Sequence, residues 1–196
     1  MNALIDDIRG CELCKARFQA TATRHEPRPV AWFRPTARVL IAGQAPGALV
    51  HQSGRPFTDP SGVRLRDWLG LNETEFYDQD RIAIVPMAFC FPGYDAKGAD
   101  LPPPKICART WRSRCMDALP GIRLTILVGG YAQKWHLGTR GTVMAHVSAW
   151  REYAPGIFPL LHPSWRNSAL IRRHPWYVDE LLPELRKSVQ QVLHER

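Results

Sequence analysis

Residues 39–62 constrain this chain more than any other stretch. Val39–Ala42 is a short apolar run, and Gly43, Pro46 and Gly47 end it abruptly. A run that is apolar on both faces and closed by turn residues reads as a strand buried inside a parallel sheet. In open α/β sheets, ligands bind at the carboxyl ends of such strands. A second turn, Pro56 to Gly62, follows within a few residues, and Val63 to Leu71 reads as a helix. Two loops therefore face one crevice and bring it Gln44, Phe57 and Asp59. An amide, an aromatic ring and a carboxylate in a pocket stiffened by Gly and Pro suit a planar polar ring. The alternative is a pair of turns with only structural work.

The rest of the chain repeats the pattern. Arg81–Val85, Leu124–Val128 and Phe158–Leu161 read as further strands. Helices are expected at Ile106–Leu119, at Tyr131–Leu137 and from Pro175 onward. In that last helix Val178, Leu181, Leu182, Leu185, Val189 and Val192 fall on one stripe. A short helix with Leu4, Ile5 and Ile8 on one face opens the chain. Pro27, Pro29 and Pro35 argue against a helix in residues 15–38, which read as an extended connector carrying Arg24, Arg28, Arg34 and Arg38. Thr139–Trp150 reads as a linker. Strands alternating with helices predict an α/β fold: a three-layer α/β/α sandwich around a central, mainly parallel four-stranded sheet, in a single domain over 1–196.

Five cysteines are present, at 11, 14, 90, 107 and 115. An odd count argues against a disulfide framework. Cys11 and Cys14 form a C-x-x-C pair, and two thiolates on one turn reach a single ion or cluster. Cys90 follows a strand and Cys107 begins a helix, so the four are able to close one metal site. Ordinary thiols are the alternative. The formal net charge is +8. That excess suits a polyanion, though a generally basic protein fits as well. No apolar run is long enough for a bilayer and the start lacks a secretory pattern, so a cytoplasmic protein is expected.

Two motifs carry a resemblance. Gly43-Gln44-Ala45-Pro46-Gly47 followed by Gly54-Arg55-Pro56-Phe57 resembles, without a gap, the first motif of the uracil-DNA glycosylase superfamily. The likeness is strongest to its iron–sulfur branch, whose loop reads Gly-Glu-Ala-Pro-Gly. His162-Pro163-Ser164, about one hundred residues later, resembles the second motif. The likeness spans nearly the whole chain and agrees with the fold read from the pattern.

The resemblance implies a monofunctional repair enzyme of base excision. It would flip uracil or another damaged base out of DNA, cut the N-glycosidic bond and leave an abasic site, acting as a monomer. It implies catalytic His162 and a substrate pocket built from Gly43, Ala45, Pro46, Gly47, Phe57 and Ser164. Trp165, Arg166 and Asn167 would enter the DNA minor groove, with Arg172 and Arg173 on phosphates. A [4Fe–4S] cluster would sit on Cys11, Cys14, Cys90 and Cys107, with Cys115 spare; zinc is the alternative metal. Two departures matter. The family's acidic residue is Gln44 here, so the carboxylate is expected to have moved to Asp59. Pro86 stands where many members carry an Asn that reads the uracil edge, which weakens selectivity for uracil.

Some features have two readings. Phe89, Phe91 and Tyr94 stack on a base, or shield the cysteines and fill core. Gly129-Gly130 binds a phosphate at a helix start, or is a packing turn. Arg109, Arg112 and Arg114 read as a solvated face. Two other functions stay open: a non-catalytic DNA- or damage-binding module on the same fold, and an iron–sulfur or zinc protein acting on free nucleotides.

Overall fold

The computed structural model describes residues 2–194. Its centre is one four-stranded sheet in the order β2-β1-β3-β4. The strands are β1 (Val39–Ala42), β2 (Ile82–Ile84), β3 (Leu124–Val128) and β4 (Ile157–Leu160). All three pairings are parallel, with Ile41 opposite both Ile84 and Ile126, and Ile126 opposite Phe158. The predicted α/β sandwich is therefore present. Pro159 is tolerated because β4 is an edge strand, where a missing N–H costs no ladder bond.

Strand parity decides which helices cover which face. Val39, Ile41, Ile126 and Phe158 point to the side covered by α4 (Pro60–Leu69) and α11 (Leu182–His194). Leu65, Trp68 and Leu69 of α4 are buried there, at about 1.5–3 kcal/mol each. Leu40, Ala83 and Val85 point the other way, against α1 (Asn2–Arg9) and α6 (Lys105–Asp117). Ala42 and Leu127 meet α7 (Gly130–Leu137) on that side.

The connector holds a short helix, α2 (Lys15–Gln19), before it extends. Its extended part then covers an edge. The Ile84 N–H donates to the Trp32 carbonyl at 2.8 Å, so β2 does not present an open strand to solvent. Arg28 reaches the carbonyls of His51 and Gln52 and closes the end of α3 (Ala48–Ser53). Arg34 pairs with Asp80 at 2.7 Å.

The expected linker at 139–150 holds α8 (Val143–Ser148), and α9 (Trp150–Tyr153) begins at its end. Short helices α5 (Glu73–Phe76) and α10 (Ser168–Arg172) were also not expected. The last helix departs from its predicted stripe. Residues Tyr177–Leu181 form a π-helical turn before α11. Pro183 lacks the N–H that would bond the Asp179 carbonyl, and its ring crowds that carbonyl, so the preceding turn widens. The widening shifts the register: Tyr177 is buried in place of Val178, which is 50% exposed.

Two side-chain readings also change. Arg112 is not on a solvated face; it is 2% exposed. It donates to the carbonyls of Val85 and Pro86 at the exit of β2 and to His136. Phe89 and Phe91 are core residues rather than available stacking platforms. His146, in the stretch expected to be a linker, lies 3.3 Å from the Tyr153 hydroxyl.

Candidate active site

Sheet register carries the site. Beyond the ends of β1 and β2 the ladder continues: Met87 N–H donates to Gly43 O at 2.9 Å and Ala88 N–H to Gln44 O at 3.1 Å. The first-motif loop and the loop after β2 are thereby held side by side. Along this rim stand Pro86, then Gly43 and Gln44, then Gly129, then His162, following the strand order. Gln44 is half-buried. Its backbone carbonyl is used in the ladder, and its side-chain amide has no hydrogen-bond partner among the described residues.

Phe57 arches over this loop. Its ring tip lies 3.7 Å from where a Cβ on Gly43 would stand, so a larger residue at 43 would meet the ring. Its φ is +54°, a left-handed conformation that a bulky residue rarely adopts. Three groups hold it there. The Tyr77 hydroxyl donates to the carbonyls of Pro56 (2.8 Å) and Phe57 (3.1 Å), and Arg66 reaches the Phe57 carbonyl at 3.4 Å. Burial pushes the Tyr77 phenol above its ordinary range, so it remains a donor at neutral pH. Gly62 completes the support: a Cβ there would sit 1.8 Å from the Phe57 carbonyl oxygen. Strain fixed by surrounding bonds is typical of a ligand clamp.

Asp59 has two tasks available. It is the N-cap of α4, accepting from Gly62 N–H at 3.1 Å, with Pro60 in the favoured first helical position. It is also close enough to His162 for their charges to interact. His162 follows β4 and lies beside Gly129, whose positive φ of 82° requires glycine. The Asn167 amide donates to the His162 carbonyl at 2.7 Å. Arg64 of α4 donates to the Ser164 carbonyl at 3.1 Å and to the Ser168 hydroxyl at 3.0 Å. The His-Pro-Ser loop is thus tied to α4, the helix that Asp59 caps. Burial lowers the His162 pKa, opposed by Asp59 and Asp100. A neutral imidazole at neutral pH follows, with one N–H to donate.

Sequence reading missed Asp100. It lies where a small hairpin turns back: Tyr94 and Asp100 form an antiparallel bridge, and Leu101 N–H donates to Gly93 O at 2.9 Å. Its carboxylate interacts with His162, Asp59 and Arg166. The only earlier signal was a lone Asp before three prolines, in no motif.

The remaining expected residues separate into two kinds. Trp165 is 77% exposed at the tip of the second-motif loop, with Arg166 beside it at 6.0 Å. Both are free to meet a partner. Ser164 and Asn167 instead shape the loop, through Ser164 Oγ accepting from Arg166 N–H at 3.3 Å and the Asn167 bond above. Ala45, Pro46 and Gly47 form the turn into α3. At Gly129-Gly130 the packing explanation fits: a Cβ on Gly130 would press on Val143 at 2.9 Å.

On the α1/α6 side, Cys11, Cys14, Cys90 and Cys107 line one cavity with Ile8, Phe18, Pro29 and Trp111. Among the described residues, no three His, Cys, Asp or Glu side chains are grouped to hold a single ion. Burial and the neighbouring cysteines push the Cys90 and Cys107 thiols up to about 12, partly offset by backbone N–H groups of Arg28 and Phe89. Cys115 is buried in the core and does not line that cavity.

No helix among the described residues is long and apolar enough to cross a membrane. The family model described as the uracil DNA glycosylase superfamily matches residues 30–186, which include the whole sheet, both motif loops, Cys90 and Cys107 but not Cys11 or Cys14. With more than half its length matched, and with both motif loops on one rim of a parallel sheet, the chain belongs to the uracil DNA glycosylase superfamily.

Proposed function

We propose that this protein is a monofunctional DNA glycosylase that extrudes uracil or a related damaged base and hydrolyses its N-glycosidic bond. The observation that carries the reading is that both motif loops stand on one rim of the sheet, His162 beside Gly129 and Phe57 arched over Gly43. A base inside a duplex is out of reach, and flipping costs a few kcal/mol. Stacking on Phe57 recovers part of that, and exposed Trp165 is suited to fill the gap in the helix.

Bond cleavage leaves a sugar with oxocarbenium character and sends the bonding electrons to the base. Neutral His162 donates its N–H to the base oxygen that gains negative charge. Donors of this kind contribute about 2.7–4 kcal/mol. A carboxylate at the rim stabilises the cationic sugar and orients water; Gln44 is uncharged and Asp59 takes that task. Pro86 offers no side-chain polarity and no N–H to read a base edge, so the site should accept more than uracil. Because Gln44 replaces an acid, a damage-binding module without chemistry is the second reading.

Single-turnover excision on oligonucleotides carrying uracil, hypoxanthine, xanthine or thymine mismatches tests both. Abasic product with at least one base is expected, with a loss of at least tenfold in His162→Ala. Binding without abasic product on any substrate would leave only the second reading.

The cysteine cavity fits a [4Fe–4S] cluster held by Cys11, Cys14, Cys90 and Cys107. Donors spread around a cavity suit separately ligated irons better than one zinc. Bound there, a cluster would cross-link α1, the β2 exit loop and α6. Visible absorbance with about four irons per chain is expected; stoichiometric zinc would replace this assignment.

A further inference from the structure

We infer that the outward face of α7, with Tyr131 and Trp135, is a stacking platform for a single-stranded stretch of DNA beside the rim. This rests on the DNA substrate of the reading above and adds where the strand runs and in which form it is held.

α7 buries Ala132 and Gln133 and leaves its two largest side chains outside: Tyr131 is 45% exposed and Trp135 42%. Positions i and i+4 are neighbours on a helix surface, so the two rings form one aromatic strip. Among the described residues, the other large aromatic side chain that stands so exposed is Trp165 of the second-motif loop. Trp135 is held from behind. The Arg112 guanidinium lies 5.3 Å from its ring centroid, and Arg112 is itself fixed by the Val85 and Pro86 carbonyls. The strip begins at the rim. A Cβ on Gly129, two residues before Tyr131, would stand 3.8 Å from the His162 Cβ. A strand leaving the His-Pro-Ser loop on this side meets Tyr131 first and Trp135 one turn later.

The surroundings have the sign that phosphates require. Lys134 precedes Trp135, Arg140 follows the helix, and both are exposed. On α6, which meets α7 through the Arg112–His136 bond and a shared apolar cluster of Ala108 and Ala132, Lys105 and Arg109 are exposed as well. None of these four cations forms an ion pair among the described residues. Neither α7 nor α8 contains an acidic residue, and the one on α6, Asp117, is its last. Unpaired cations around exposed rings fit a polyanion that also carries flat apolar faces. Ring spacing selects its form. At 1.5 Å per residue Tyr131 and Trp135 stand about 6 Å apart along the axis. In a duplex the bases follow at about 3.4 Å and each covers the face of the next. An unpaired strand has bases free to lie one on each ring. A base in such a strand needs no unpairing before it enters the pocket, which lowers the cost of extruding it.

Anisotropy titrations of one labelled oligonucleotide, single-stranded and as a duplex, compare wild type with Tyr131→Ala, Trp135→Ala, Trp135→Phe, Lys134→Gln and Val178→Ala, with melting temperature and sedimentation alongside. Tyr131→Ala and Trp135→Ala should each weaken single-strand binding about tenfold and duplex binding less than about threefold. Trp135→Phe should recover most of the loss, and Val178→Ala, an exposed apolar side chain elsewhere, should change neither affinity. Lys134→Gln should lower the single-strand salt slope by about 0.7. Trp135 packs on Arg112, so Tyr131→Ala carries the test if Trp135→Ala melts early. Folded alanine variants that bind the single strand within about threefold of wild type overturn the assignment. So does an equal loss on the duplex, which would make the face a general phosphate contact, and so does a wild-type dimer that Trp135→Ala dissociates, which would make it an interface between copies. A wild type that binds single strands through these rings but cleaves no damaged base removes the glycosylase reading and leaves this one; a wild type that binds no DNA removes both.

Discussion

The rim of the sheet and the cysteine cavity are built by opposite strategies. At the rim, the groups that define the pocket are fixed by the fold itself: Asp59 by Gly62 N–H, Gln44 O by Ala88 N–H, the His162 carbonyl by Asn167, and Phe57 by Tyr77 and Arg66. At the cavity, four thiols from three segments line one space with few partners, and two are held up to about 12 by burial and mutual repulsion. Folding completes the first region unaided. Cys90 and Cys107 retain protons that a bound cation would displace, so metal binding there would couple to folding and to pH. The lesson is that preorganisation for catalysis and readiness for a metal leave different physical marks.

That contrast can be broken in order of expected effect. Gly62→Ala should be the most damaging rim change, because its Cβ would meet the Phe57 carbonyl oxygen at 1.8 Å. Displacing the arch by about an ångström should cost about a hundredfold in excision rate. A rate near wild type would mean that the arch does not position the base. Next, Cys107→Ser should release metal and lower the melting temperature by about 5 °C or more, at roughly 2–4 °C per kcal/mol in a chain of this size. If the regions are independent, excision measured below that melting point stays within about threefold; a parallel collapse would make them one site.

Tyr77→Phe removes the donor shared by the Pro56 and Phe57 carbonyls. About 1–3 kcal/mol of stability should be lost, read by denaturant unfolding. The smallest effect concerns His136 behind the rim. Burial, with Arg112 adjacent, lowers its pKa to about 3. Below about pH 6.5 the unfolded chain takes up a proton that the folded protein refuses, so stability is lost as pH falls toward about 3. Between pH 7 and pH 5 this side chain should account for about 1–2 kcal/mol. His136→Gln should flatten the slope by that amount, while the part due to His162 and His51, whose pKa values are also lowered, should persist.

Four strands and the long helices were legible because each carries enough apolar residues to show its period. The helices of four to six residues, α2, α3, α5, α8, α9 and α10, were not. One turn and a half holds too few positions to display a stripe, and tertiary packing stabilises such pieces. The same limit hid Arg112. Its charge reads as solvated, and only the approach of α6 to the β2 exit gives its guanidinium the Val85 and Pro86 carbonyls.

By itself the sequence determined the strand-and-helix order, the two motif loops at strand ends and the four cysteines able to meet, since these depend on local period and spacing. Tertiary structure alone decided that Asp59 and Asp100 come within electrostatic reach of His162, that Phe57 is locked in a left-handed arch over Gly43, and that Val178 faces solvent. Each of these depends on contacts between residues far apart in the chain, or on a one-residue register shift, and neither leaves a periodic trace along it.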